Sequence, residues 1–164
     1  MGSRYGGGMW RWFGLGLIGF VVGGCESPAL PAAVPYEPIT NVRETMDWIV
    51  LPAAEVIWDS AGTIITAEGR TELAPTTAEG WEEVRRNAAI LAETGNLLMV
   101  PGRAQGPEWI AYSRNLHTTG RLAMAAAEAR DPDALFDAGG AVYQACVGCH
   151  TRYWVSAEEP LPAD

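Results

Sequence analysis

Four segments of this chain repeat their apolar residues with a period near 3.6, and that repeat restricts the possible folds more than any other feature. The first is expected over residues 41–60. "NVRE" offers a capping box, with Asn41 as N-cap and Glu44 three residues on. Val42, Met46, Ile49, Ala53 and Val56 form its stripe. Pro52 lies inside it and removes the backbone bond to residue 48, which predicts a kink or local break. The second runs over 77–99, with Trp81, Val84, Ala88, Leu91, Gly95 and Leu98 on one face, and "VPG" stops it. The third runs over 107–130, with Pro107 at the first helical position and Trp109, Tyr112, Leu116, Gly120, Ala123 and Ala127 as its stripe. The fourth opens at Asp131 as N-cap, followed by Pro132 and by Asp133 near the positive helix end. Its stripe is Leu135, Gly139, Val142, Cys146, Cys149 and Tyr153.

Helices of roughly 20 residues span about 30 Å and lie side by side. The expected fold is all-α, an antiparallel four-helix bundle over residues 40–156. The connection "AGTIITAEGRTELAPT" is long for a compact domain. It crosses the end of the bundle, or "GTIIT" packs as a short extended piece. Trp48, Trp58, Trp81 and Trp109 are expected in the core and around any pocket.

The first 24 residues read differently. Arg4 and Arg11 precede the apolar run "FGLGLIGFVV", and "VGGC" ends at Cys25: the layout of a secretory signal peptide. The run is shorter than the roughly 20 residues that a membrane span needs. "VGGC" resembles the lipobox of bacterial lipoproteins. That resemblance implies cleavage before Cys25 and lipidation of Cys25, giving an exported, membrane-anchored lipoprotein in the periplasm. Residues 25–39, rich in proline, read as an extended tether, and 157–164 as a C-terminal tail.

All 11 basic residues are arginine, set against 20 acids, for a formal charge of −9. Loss of the leader removes Arg4 and Arg11 and no acid, which takes the charge to −11. An acidic chain without a basic patch excludes nucleic acid as a natural partner. No nucleophile–base pair or carboxylate cluster has a recognisable spacing, so an enzyme is not expected. Glu44, Asp47, Glu82 and Glu83 read as solvated helix faces.

The chemistry concentrates in "ACVGCHTRYW", residues 145–154. C-x-x-C-H is compatible with a thiol redox pair, half of a zinc site or covalent haem attachment. Cys146 and Cys149 are three apart and His150 is four from Cys146, so a helix puts all three on one face. Haem c needs this arrangement: two thiols add to the two vinyl groups of the porphyrin, and the adjacent imidazole reaches the iron. Gly148 leaves little bulk beside the attachment site. A zinc site needs about four ligands, and His117, the one other histidine, reads as a partly buried residue of the third helix. A thioredoxin-type pair sits at a helix N-terminus, where the dipole lowers the thiol pKa; this pair lies near a C-terminus. One covalent haem c is the expected cofactor.

The position of the motif on the last of four helices resembles the class II c-type cytochromes, the cytochrome c′ type. The resemblance covers about residues 41–155. The family commonly has an aromatic residue three positions after the histidine, matched by Tyr153, and then a basic one, where this chain has Trp154 with Arg152 nearby. The resemblance implies that His150 is the proximal iron ligand. It also implies that Met46, on the first helix, matches the sixth ligand of the low-spin branch. That branch shuttles single electrons between periplasmic or membrane redox partners. The alternative within the family is a five-coordinate iron that binds NO or CO. Family members are often antiparallel dimers.

Overall fold

The computed structural model describes residues 36–154. The expected signal peptide, the expected lipidation site Cys25, most of the expected tether and the expected tail lie outside the described residues. All of the elements below belong to one compact unit, Pro35–Asp164.

The fold is mostly helical. A first helical run is made of α1 (Val42–Thr45), a π-helical turn (Met46–Val50) and α2 (Leu51–Asp59). A hairpin follows, β1 (Thr63–Thr66) paired antiparallel with β2 (Gly69–Glu72), and then α3 (Ala78–Leu98), α4 (Pro107–Ala129) and α5 (Pro132–Tyr153). The caps follow the sequence signals. Asn41 Oδ1 accepts from the Glu44 N–H at 2.8 Å while Glu44 Oε2 accepts from the Asn41 N–H at 3.0 Å, the reciprocal box. Thr77 caps α3, and Asp131 Oδ1 accepts from the N–H groups of Asp133 and Ala134. Pro107 and Pro132 open α4 and α5, where a missing N–H costs nothing. The corner between α4 and α5 turns at Arg130 in the left-handed region (φ 53°), and the Asp131 N–H reaches back to the Ala126 carbonyl.

The long connection contains the extended piece as a hairpin, with Ala67 and Glu68 as its tip. Its strands are largely exposed, Ile65 at 75%.

The disturbance expected at Pro52 falls one turn earlier, as a π turn rather than a break. Pro52 has no N–H to give to residue 48. The Leu51 N–H bonds to the Met46 carbonyl, five residues back, and the widened turn absorbs the missing donor. The wider turn also rotates the helix face. Thr45 and Val50, five apart, are both buried, followed by Ala53, Ala54 and Ile57. The stripe expected from a uniform 3.6 period is therefore displaced: Ile49 and Val56 are half-buried, and Trp48 points to solvent at 65% exposure.

The helices form a closed set of neighbours: α3 contacts α2 and α4, α4 contacts α5, and α5 returns to α2. The core holds Ile57, Val84, Leu91, Leu135 and Val142, each fully buried. Burying one such side chain contributes about 1.5–3 kcal/mol. Two glycines set the α3–α4 approach. A Cβ on Gly120 would stand 2.7 Å from the Ala92 nitrogen, and one on Gly95 would stand 2.7 Å from the Ser113 carbonyl oxygen. Hydrogen alone fits at either place.

A candidate cofactor cleft between the first helix and the last

Between the first helical run and α5 the packing opens into a cleft of about 480 Å³, within the ~300–1,000 Å³ range of small-molecule pockets. Val50, Leu51, Ala54 and Trp58 line it from one side, and Tyr143 and Val147 from the other. Cys146 and His150 stand on the α5 wall and Met46 on the opposite wall. A small recess of about 40 Å³ deepens the same region toward the core. It shares Met46, Val50, Cys146 and His150, and adds Cys149, Leu98 and Trp109. The C-x-x-C-H residues and Met46, separated by about a hundred positions in the chain, thus meet across one apolar space.

Helical spacing explains the α5 wall. Leu135, Val142 and Ala145 are buried against the core, and the face carrying Cys146, Cys149 and His150 emerges beside them. These three are half-buried rather than fully buried, because the cleft lies where α5 would otherwise meet α2. The two thiols are unbonded. Burial pushes the Cys146 thiol pKa up, and burial together with the neighbouring Cys146 does the same for Cys149. A thiol–disulfide catalyst needs the opposite shift. Burial lowers the His150 pKa, which favours the neutral imidazole, the form that binds a metal.

Aromatic residues fix this end of α5. Trp154 meets the His150 ring edge to face, with centroids 4.9 Å apart. Tyr153 packs the same way on Trp109, at 5.0 Å, and on Tyr112, at 6.2 Å. Arg152 Nε donates to Glu108 Oε2 at 3.1 Å, joining the last turn of α5 to the first turn of α4. Trp58 Nε1 donates to the Gly139 carbonyl at 3.0 Å, which ties α2 to α5 above the cleft.

Other expected residues fall elsewhere. His117 is half-buried with Nδ1 3.1 Å from the Ala92 carbonyl oxygen, so it braces α4 on α3 and does not line the cleft. Trp81 and Trp109 are core residues and Trp58 a cleft wall, whereas Trp48 is none of these. Gly148 faces Tyr112: an alanine Cβ would sit 3.4 Å from Tyr112 Cε1, an ordinary contact, so its smallness is not a feature of the cleft. Among the described residues no three His, Cys, Asp or Glu side chains converge as a metal cage. Sequence reasoning missed Trp154 as the packing partner of His150 and Tyr143 as a wall; an aromatic four residues after His150 on a helix was the legible signal for the first.

The donors present are two thiols, an imidazole and a thioether, in an apolar surround with no carboxylate besides Asp47. Thiols, imidazole and thioether are ligands for a soft or borderline metal, and the apolar lining favours an apolar group around it. Comparison with protein-family models, with curated proteins and with solved structures gave no match for this chain. No helix among the described residues is long and apolar enough to cross a membrane.

Proposed function

We propose that this chain is an exported, lipid-tethered mono-haem c-type cytochrome of the class II type: an antiparallel four-helix bundle that carries single electrons and is not an enzyme. One observation carries the reading. Met46 and His150 line the same apolar cleft that holds Cys146, with Cys149 in the recess beneath it.

When bound, the haem supplies a one-electron iron couple. Cys146 and Cys149 would hold it, each S–H adding across a vinyl double bond with no leaving group. His150 would be a ligand to the iron, in the neutral form that its burial favours. Trp154, edge-on to His150, restricts the ring's rotation. Met46 would ligate from the first helical run. A His/Met pair gives a higher potential than more basic ligands. Val50, Ala54, Trp58, Tyr143 and Val147 would lay apolar surface against the bound group. Lipid on Cys25 would hold the domain at a membrane surface, and the acidic surface selects redox partners with basic docking patches.

The test is the optical spectrum of the full chain matured with haem. Sharp low-spin α and β bands that vanish in Met46→Ala are expected. A broad high-spin spectrum that shifts when CO is added would assign the protein to the five-coordinate, gas-binding class instead. Failure of Cys146→Ala/Cys149→Ala to release the haem under denaturing conditions would remove the c-type assignment.

A further inference from the structure

Arg103, in the connection between α3 and α4, is 5% exposed. Among the described residues no acid pairs with it. Its guanidinium is committed to the start of the first helical run. Nη1 donates to Thr45 Oγ1 at 2.8 Å, and Nη2 donates to the Thr40 carbonyl and to Thr40 Oγ1 at 3.0 Å. Its Nε has no partner. Thr45, fully buried, donates its hydroxyl to the Asn41 carbonyl at 2.7 Å, and the Thr40 hydroxyl lies 2.9 Å from Thr45 Oγ1. A buried cation facing only neutral acceptors costs free energy, so hydrophobic packing alone does not account for it. All three hydrogen bonds of the guanidinium go to one six-residue segment, 40–45.

That segment ends where the π turn begins. Thr45 directly precedes Met46, and the Leu51 N–H closes the widened turn on the Met46 carbonyl. Thr45 and Val50 are the buried points on either side of the turn. A five-residue step between two buried points fits a π turn. In a regular α-helix it would rotate one of them away from the core. Anchoring Thr45 therefore fixes the register in which Met46 is presented to the cleft.

We propose that Arg103 is a positioning residue for Met46: through Thr45 and Thr40 it holds the π turn in register and so sets how the thioether meets a metal opposite His150. This inference rests on the His150/Met46 haem reading. Outer groups of this kind orient a ligand and tune its metal without touching it. They act most strongly on a weak, neutral ligand such as a thioether.

The experiment uses the full, haem-loaded chain and compares Arg103→Met, Arg103→Lys and Thr45→Val with Met46→Ala and a core control, Leu135→Val. The readouts are the low-spin fraction of the iron, the rate of CO binding to the reduced protein, and the thermal midpoint. Arg103→Met and Thr45→Val are expected to raise CO binding at least tenfold and to lower the low-spin fraction at unchanged haem content. Arg103→Lys is expected to recover part of both. Leu135→Val is expected to lower the thermal midpoint and leave the spectrum alone. If Arg103→Met does not fold, Thr45→Val, nearly the same shape, decides. Parental spectra in Arg103→Met and Thr45→Val, alongside loss of the low-spin bands in Met46→Ala, overturn the role of Arg103 and leave the ligation standing. Low-spin bands that survive in Met46→Ala overturn the ligation itself, and this inference with it.

Discussion

The two sides of this fold are built differently. Where α3 meets α4 the backbones approach until only hydrogen fits at Gly95 and Gly120, and Leu91, Ala88 and Ala123 are sealed between them. Where the first helical run faces α5, the helices stand apart around a cleft of about 480 Å³, and large apolar residues such as Leu51, Tyr143 and Trp154 remain exposed. Close packing stabilises a fold and leaves no room for chemistry; the open side carries every residue assigned to the cofactor. The contrast places the tightest packing in one helix pair and the candidate cofactor cleft in the other.

The largest effect separates two tryptophans. Trp81→Ala, on the packed side at 7% exposure, is expected to cost about 3–5 kcal/mol, whereas Trp48→Ala, at 65% exposure, is expected to stay within about 0.5 kcal/mol. Urea denaturation of both variants measures the difference, and similar costs would break the comparison. A smaller effect separates two glycines. Gly120→Ala forces a methyl against the α3 backbone and is expected to cost about 1–3 kcal/mol. Gly148→Ala meets Tyr112 at an ordinary distance and is expected to be close to neutral, because a helix interior favours alanine over glycine. Thermal midpoints of the pair check this. The smallest effect lies at the corner that joins the two sides. Arg130 adopts a left-handed conformation, and Arg130→Gly is expected to stabilise by up to about 1 kcal/mol, read as a rise in denaturation midpoint.

Helix limits were legible because local chemistry sets them. Asn41, Thr77, Pro107, Asp131 and Pro132 act on the first turn of their own helix, and each starts an element where its side chain or ring requires. Three of the four apolar stripes were legible for the same reason, a fixed residue spacing. The fourth was not. A periodic reading treats Ile49 as inward, but Pro52 shifts the bonding by one residue, and the π turn brings Val50, Ala54 and Ile57 to the fully buried face. Trp48 was expected in the core for its bulk alone and stands in solvent. Cys146, Cys149 and His150 were legible as a unit, being neighbours on one helix; that they border an open space was not, since the gap depends on how far α2 stands from α5. Nothing in the sequence singles out Arg103, because its acceptors lie about sixty residues away.

The sequence by itself determined the number of helices, their caps and the face shared by Cys146, Cys149 and His150, because hydrogen bonds and side-chain spacings within a few residues decide those. Tertiary structure alone decided that Met46 stands across a cleft from His150, that Trp154 rests on the imidazole and that Arg103 grips residues 40–45. Those facts depend on where separate helices come to rest, which is set by packing over the whole core.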